Sequence, residues 1–153
     1  MASFCKRVLV VDDFEPFRKL VRSVVEGSDP SLKVVAEAGD GWQAVLKAGE
    51  LKPDLIVLDV GLPTLNGIEV AREIPRVAPH ARILFASQES SVDVIRAAFD
   101  AGAFGYILKT EARTELMKAV RAILAGEQYV GRSIAGRLSA LLENDKLRRP
   151  LLG

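Results

Sequence analysis

Four short apolar runs in this chain are each followed at once by a residue that can do chemistry. Asp12 and Asp13 follow Arg7–Val11, Asp59 follows Leu55–Leu58, Ser87 follows Ile83–Ala86, and Lys109 follows Tyr106–Leu108. Three carboxylates brought together repel one another, and a fold tolerates that when a dication is bound. All-oxygen ligands of this kind suit Mg²⁺. An ammonium and a hydroxyl beside the metal are donors for an anion, so the set suits a phosphoryl group held between metal and lysine. A carboxylate can itself be the nucleophile and form an aspartyl phosphate. Taken singly, each residue has a plainer reading. Asp12 and Asp13 suit a turn or cap, Asp59 a loop, Ser87 a cap, and Lys109 a solvated surface. Their joint placement after strand-like runs decides for a site.

The elements that must position them alternate regularly. After Arg7–Val11, the residues Phe17, Leu20, Val21, Val24 and Val25 share one helical face, with Pro16 suited to the first turn and Gly27 to the end. Leu32–Ala36 reads as a second strand, and Asp40 can cap a second helix carrying Ala44, Val45 and Ala48. Leu55–Leu58 is apolar throughout, as expected of a strand buried on both faces. A loop from Gly61 to Gly67 leads to a third helix over Ile68–Val77. Ile83–Ala86 is a fourth strand, and Val94, Ile95, Ala98 and Phe99 mark a fourth helix that stops near Gly102. Tyr106–Leu108 is a fifth strand, and Leu116, Ala119, Val120, Ile123 and Leu124 mark a fifth helix.

Such βα units in series predict an α/β fold: a doubly wound, five-stranded parallel sheet with helices on both faces. In a flavodoxin-like (βα)5 arrangement with strand order 2-1-3-4-5, strands 1 and 3 flank the switch point, where ligands bind outside the carboxyl ends of the strands. Asp12, Asp13 and Asp59 then converge, with Ser87 and Lys109 beside them. The second strand runs into Glu37, Ala38 and Gly39, to which no role is assigned, and Trp42 is expected only to pack near the start of the second helix.

The bulk properties exclude several classes. The 153 residues carry a formal charge of +1, which gives no electrostatic footprint for nucleic acid or an anionic membrane. Apolar residues are 49% and charged residues 27%, as in globular proteins. No run approaches membrane-span length, and Met1–Lys6 lacks a signal-peptide stretch, so the expected location is cytoplasmic. Cys5 is the only cysteine, so no internal disulfide or cysteine cluster can form, and the single His80 follows Pro79 in a loop-like stretch.

At these residues the sequence resembles the response-regulator receivers of two-component systems, in particular those of the NarL/FixJ (LuxR-type) group. The matching pieces are Val8-Leu9-Val10-Val11-Asp12-Asp13, Asp54-Leu55-Ile56-Val57-Leu58-Asp59 with Pro63 and Asn66-Gly67, Ala86-Ser87, and Gly105-Tyr106-Ile107-Leu108-Lys109. They run in the family's order between about Lys6 and Ala125. The resemblance implies that Asp59 accepts a phosphoryl group from a sensor histidine kinase and that the protein is a switch rather than an enzyme. It implies that Asp13, Asp59 and the backbone carbonyl of Gly61 ligate Mg²⁺, with Asp12 acting largely through water. It implies that Lys109 pairs with the phosphoryl oxygens, Ser87 hydrogen-bonds to them, and Tyr106 changes rotamer in response. An aromatic in a short strand usually just packs, so the Tyr106 role rests on its place three residues before Lys109. Ser87 stands where threonine is more frequent, Gln88 is larger than the usual neighbour and narrows access, and Thr110 stands where many members have proline, so a trans bond is expected there.

A phosphotransfer enzyme of the haloacid-dehalogenase type also uses a strand-end aspartate. It needs a second acid two residues on, where this chain has Gly61. No Walker loop or dinucleotide fingerprint is present. A receiver serving only as an unphosphorylated docking scaffold is disfavoured by the complete acid–lysine set. The expected organisation is a receiver over residues 1–125, then a linker over residues 126–153 with a short helix near Ser133–Leu142 and a polar tail. In that helix Ile134, Leu138, Leu141 and Leu142 form one stripe that Ser133 can cap, and the stripe is expected to dock on a protein surface. The stretch Leu124–Val130 resembles the receiver end of regulators that carry a C-terminal helix-turn-helix. The output is therefore transcription through such a DNA-binding domain, or protein–protein interaction by a stand-alone receiver. A homodimer that strengthens on phosphorylation is expected.

Overall fold

The computed structural model describes residues 5–139. Strands β1 (Lys6–Val11), β2 (Leu32–Ala38), β3 (Leu55–Leu58), β4 (Arg82–Ser87), β5 (Gly105–Leu108) and β6 (Tyr129–Val130) form one sheet in the order β2-β1-β3-β4-β5-β6. Every neighbouring pair is parallel. The central strands are closed to solvent on both faces: Val8–Val11 and Leu55–Leu58 are all buried. That is why they read as continuous apolar runs rather than alternating ones.

Helices α1 (Glu15–Ser28) and α5 (Ala112–Leu124) cover one face. Phe17, Val21, Val25, Leu116, Ala119, Val120 and Ile123 close over Val8, Val10, Val57 and Ile107 there. Helices α2 (Gly41–Leu51), α3 (Gly67–Val77) and α4 (Val92–Asp100) cover the other, with Ala44, Val70, Ile74 and Ile95 over Leu9, Ile56, Leu58 and Phe85. The helix starts follow local capping chemistry. The Asp40 side chain accepts from Gln43 N, Ser91 from Val94 N, and Pro16 sits in the first turn of α1. Asn66 and Glu69 form a reciprocal capping box at α3, which lengthens that helix by one residue over the expected Ile68 start.

The expected five-stranded sheet is corrected to six strands among the described residues. β6 has only two residues, inside a stretch read as linker, and its pairing to β5 (Gly105↔Tyr129, Tyr106↔Val130) is long-range, so no local periodicity marks it. Helix α6 (132–139) follows directly. Ile134 on it is buried and Leu138 half-buried against the α4-side core, while Leu141 and Leu142 of the expected stripe lie outside the described residues. The helix starts one residue before Ser133, and the Gly131 carbonyl accepts the Ala135 N–H in its first turn. Ser133 does not cap it: its hydroxyl donates to Glu111 Oε2 on the neighbouring turn, at 2.8 Å. Trp42 departs from expectation as well, being 59% exposed rather than packed away.

Candidate functional site

The sheet brings the strand-end residues to one edge because β1 and β3 are neighbours and β4 and β5 follow in order. Asp12 and Asp13 leave β1, Asp59 leaves β3, Ser87 ends β4 and Lys109 leaves β5. One oxygen from each of Asp12, Asp13 and Asp59 lies within 4.8 Å of the others. Lys109 Nζ donates to Asp59 Oδ2 at 3.0 Å and lies 2.6 Å from Asp12 Oδ2. Asp13 is exposed, whereas Asp12 and Asp59 are buried. An open cavity of about 540 Å³ lies over this cluster, and its wall includes Asp13, Phe14, Asp59, Gly61, Gln88 and Lys109. Gln88 is exposed on that wall.

The charges are poorly balanced. Burial raises the Asp12 carboxyl above the usual aspartate range, and the Asp59 charge pushes the same way, against the Lys109 ammonium and the Phe14 N–H. Burial by itself would lower the Lys109 ammonium, but Asp12 and Asp59 beside it leave it above the ordinary lysine value. Among the described residues, Lys109 thus pairs with two of the three clustered acids, Asp12 and Asp59. Asp12 Oδ2 is also buried, its ion pair with Lys109 at 2.6 Å being the contact that offsets its charge. A hard dication at the cluster would neutralise the excess and give that oxygen a ligand role, so these residues fit such a metal.

Ser87 lines the same cavity over the cluster, whereas Tyr106 is not on its wall. The Ser87 Oγ accepts the Glu89 N–H at 3.2 Å. Tyr106 is fully buried, stacked on Phe85 at 5.9 Å between ring centroids, and its hydroxyl donates to the Glu89 carbonyl at 2.7 Å. Burial pushes its phenol up to about 12, with the Ser87 hydroxyl acting in the opposite direction. Tyr106, Ser87 and the β4–α4 loop are therefore one hydrogen-bonded unit. The peptide bond after Lys109 is trans, as expected with Thr110 there; no described residue has a cis bond.

Several further residues support the site. The Phe17 ring lies under Lys109, with Nζ 4.9 Å from its centroid, a cation–π contact that helps to aim the ammonium. Glu37, at the end of β2, accepts from Arg18 Nε and Arg22 Nε, each at 3.0 Å. Burial would raise its carboxyl, but the two guanidinium groups hold it below the usual range. Arg18 in turn donates to the Asp12 carbonyl at 2.6 Å, so Glu37 braces the β1–α1 turn that presents the acids. Gly67 is required on steric grounds: a Cβ there would lie 2.0 Å from the Asp59 carbonyl oxygen. Only glycine lets α3 begin against the backbone of Asp59.

A doubly wound sheet with an acid cluster and a lysine at its switch point defines the class of open α/β proteins whose ligand groups lie outside the carboxyl ends of the strands. Comparison with known proteins makes the assignment specific. Residues 8–121 match the response regulator receiver domain family, and the chain belongs to that family. It is 37% identical over 136 residues to the DNA-binding transcriptional activator DevR/DosR of Mycobacterium tuberculosis, covering 89% of this chain and 62% of that protein. It is 32% identical over 118 residues to the chemotaxis protein CheY of Thermotoga maritima, covering 77% of this chain and 97% of that one. Among solved structures, a LuxR-family two-component response regulator from Aurantimonas sp. SI85-9A1 superposes with a TM-score of 0.83 at 36% identity, over 89% of this chain and 96% of that one. The chain spans only 61–65% of the length of transcriptional relatives such as ExaE of Pseudomonas putida and LiaR of Bacillus subtilis. No helix among the described residues is long and apolar enough to cross a membrane.

Proposed function

We propose that Asp59 is the phosphoacceptor of a Mg²⁺-dependent switch and that a sensor histidine kinase supplies the phosphoryl group. The observation that carries this reading is the convergence of three carboxylates within 4.8 Å of one another with Lys109 Nζ 3.0 Å from Asp59 Oδ2. Asp12, Asp13, Asp59 and the Gly61 carbonyl would hold the metal, Asp12 largely through water; when bound, the ion screens the carboxylates and the incoming phosphoryl oxygens. An Asp59 carboxylate oxygen attacks phosphorus. The new O–P bond forms as the P–N bond of the phosphohistidine breaks, and the imidazole leaves with that electron pair. Lys109, freed from Asp59 by the reaction, pairs with a phosphoryl oxygen. The Ser87 Oγ already accepts from Glu89 N, which leaves its hydrogen available to another phosphoryl oxygen.

Tyr106 already lies inward against the β4–α4 loop, so the expected rotamer change becomes a shift in how firmly that rotamer is held. The output is control of transcription, supported by DevR/DosR and ExaE, which are by name transcriptional activators and are longer than this chain. A helix-turn-helix DNA-binding domain and a phosphorylation-strengthened homodimer belong to this reading, as does a cytoplasmic location. A CheY-like stand-alone role is the alternative, since this chain spans 97% of that relative.

The test is incubation with a small phosphodonor and Mg²⁺, read by intact mass. One phosphoryl group should add to the unmodified chain and none to Asp59→Asn, Asp13→Asn or a chelated sample. Unchanged labelling of Asp59→Asn would refute the assignment, and no labelling of any form would leave a docking scaffold.

A further inference from the structure

The segment after α5 lies beyond residues 8–121, yet it grips both loops that carry the switch residues. On one side, Arg137 Nη1 donates to the Ser90 carbonyl at 3.1 Å. Ser90 lies next to Glu89, whose N–H bonds Ser87 and whose carbonyl accepts from Tyr106. On the other side, the Ser133 hydroxyl donates to Glu111 Oε2 at 2.8 Å, and Glu111 ends the 3₁₀ turn Lys109–Glu111 that begins with the site lysine. Both grips come from α6. That helix is anchored independently by the buried Ile134, by the Gly131 N–H to the Tyr106 carbonyl at 2.8 Å, and by Glu115. Glu115 is a buried acid that accepts Tyr129 OH at 2.7 Å and Arg132 N at 2.6 Å.

We infer that Arg137 and Ser133 are positioning residues for the phosphoryl site, holding the Ser87–Ser90 loop and the Lys109–Glu111 turn in the arrangement that receives an oxyanion. This rests on the phosphoacceptor reading of Asp59. Loss of the Arg137 grip lets the Glu89–Ser90 backbone move, and with it the N–H that orients the Ser87 hydroxyl. Loss of the Ser133 grip frees the turn that fixes the Lys109 backbone. The Glu111 end also carries a cost, since Glu111 Oε1 is buried without a hydrogen-bond partner among the described residues. Because coupling is reciprocal, an oxyanion at the site must in turn tighten α6.

The test uses the full chain with beryllofluoride and Mg²⁺ as the phosphoryl probe, read by calorimetric titration, with Mg²⁺ alone as control. The variants are Arg137→Ala, Ser133→Ala, the double change and Arg137→Lys. Beryllofluoride affinity should fall roughly three- to ten-fold in Arg137→Ala and further in the double variant, the scale of a lost hydrogen bond or two. Affinity for Mg²⁺ alone should not change, because it depends on the carboxylates. Arg137→Lys, which keeps a donor for one carbonyl, should recover to within about two-fold of the unmodified chain. Amide exchange over residues 131–139 should slow when beryllofluoride binds. Unmodified beryllofluoride affinity in the double variant overturns the inference, and so does an equal loss of Mg²⁺ affinity, which would mark general loosening. If the unmodified chain itself binds no beryllofluoride, the phosphoacceptor reading fails and takes the inference with it.

Discussion

Replacing Glu115 tests whether the C-terminal segment is held by one buried acid. Glu115 sits on α5, is only 4% exposed, and accepts two hydrogen bonds from the segment, from Tyr129 OH at 2.7 Å and Arg132 N at 2.6 Å. Bonds to a charged acceptor contribute about 1.5–3 kcal/mol each, and the carboxylate's own desolvation offsets part of that sum. Glu115→Ala should therefore destabilise the docked segment by roughly 2–4 kcal/mol, and Glu115→Gln by roughly 1–2 kcal/mol because one neutral acceptor remains. Burial raises the Glu115 carboxyl, but the Tyr129 hydroxyl and the Arg132 N–H more than reverse this and leave it below the usual glutamate value of 4.5. A lowered carboxyl contributes stability that is present above the unfolded value and is lost as pH falls through the folded one. The unmodified protein should therefore lose protection over residues 129–139 on the acid side of pH 4.5, and Glu115→Gln should lack that component. Native-state amide exchange resolved over residues 129–139 measures both effects. Protection there within about 0.5 kcal/mol of the unmodified protein in Glu115→Ala would refute the reasoning.

Asp12→Asn should raise the urea midpoint at neutral pH in metal-free buffer. Burial and then the Asp59 charge raise the Asp12 carboxyl, so its ionised form opposes folding, and that penalty grows as pH rises through the folded value. A lower midpoint would contradict this account. Gly67→Ala should cost about 1–3 kcal/mol and slow phosphorylation of Asp59, because the new Cβ would lie 2.0 Å from the Asp59 carbonyl oxygen and overpacking forces the backbone to shift. Unchanged stability and labelling would show that the loop can give way freely. Mg²⁺ at ten times its dissociation constant should add about 1.4 kcal/mol of stability, removed by chelator and absent in Asp13→Asn. Equal denaturation midpoints with and without the ion would argue against a metal at the acid cluster.

Asp12, Asp13, Asp59, Ser87 and Lys109 were legible because each directly follows an apolar run, and a parallel sheet carries all strand ends to one edge. The helices were legible because capping residues and the 3.6-residue period act within a few positions of one another. The Asn66–Glu69 capping box was equally local and could have been read from its spacing. β6 could not be read, since two residues carry no period and the pairing partner is 24 positions away (Tyr129↔Gly105). The Glu37–Arg18–Asp12 brace spans β2, α1 and the β1–α1 turn, and Phe17 meets Lys109 only when α1 packs over the sheet. Glu115 shows the limit most plainly. An acid on an amphipathic helix reads as a solvated face, and only docking of residues 129–139 supplies the two donors that hold this buried acid ionised. The sequence alone determined which groups could do chemistry and that they share an edge, because strand and helix signals are short-range. The tertiary structure decided which side chains brace those groups, because hydrogen bonds and packing between distant segments depend on where the backbone has already been placed.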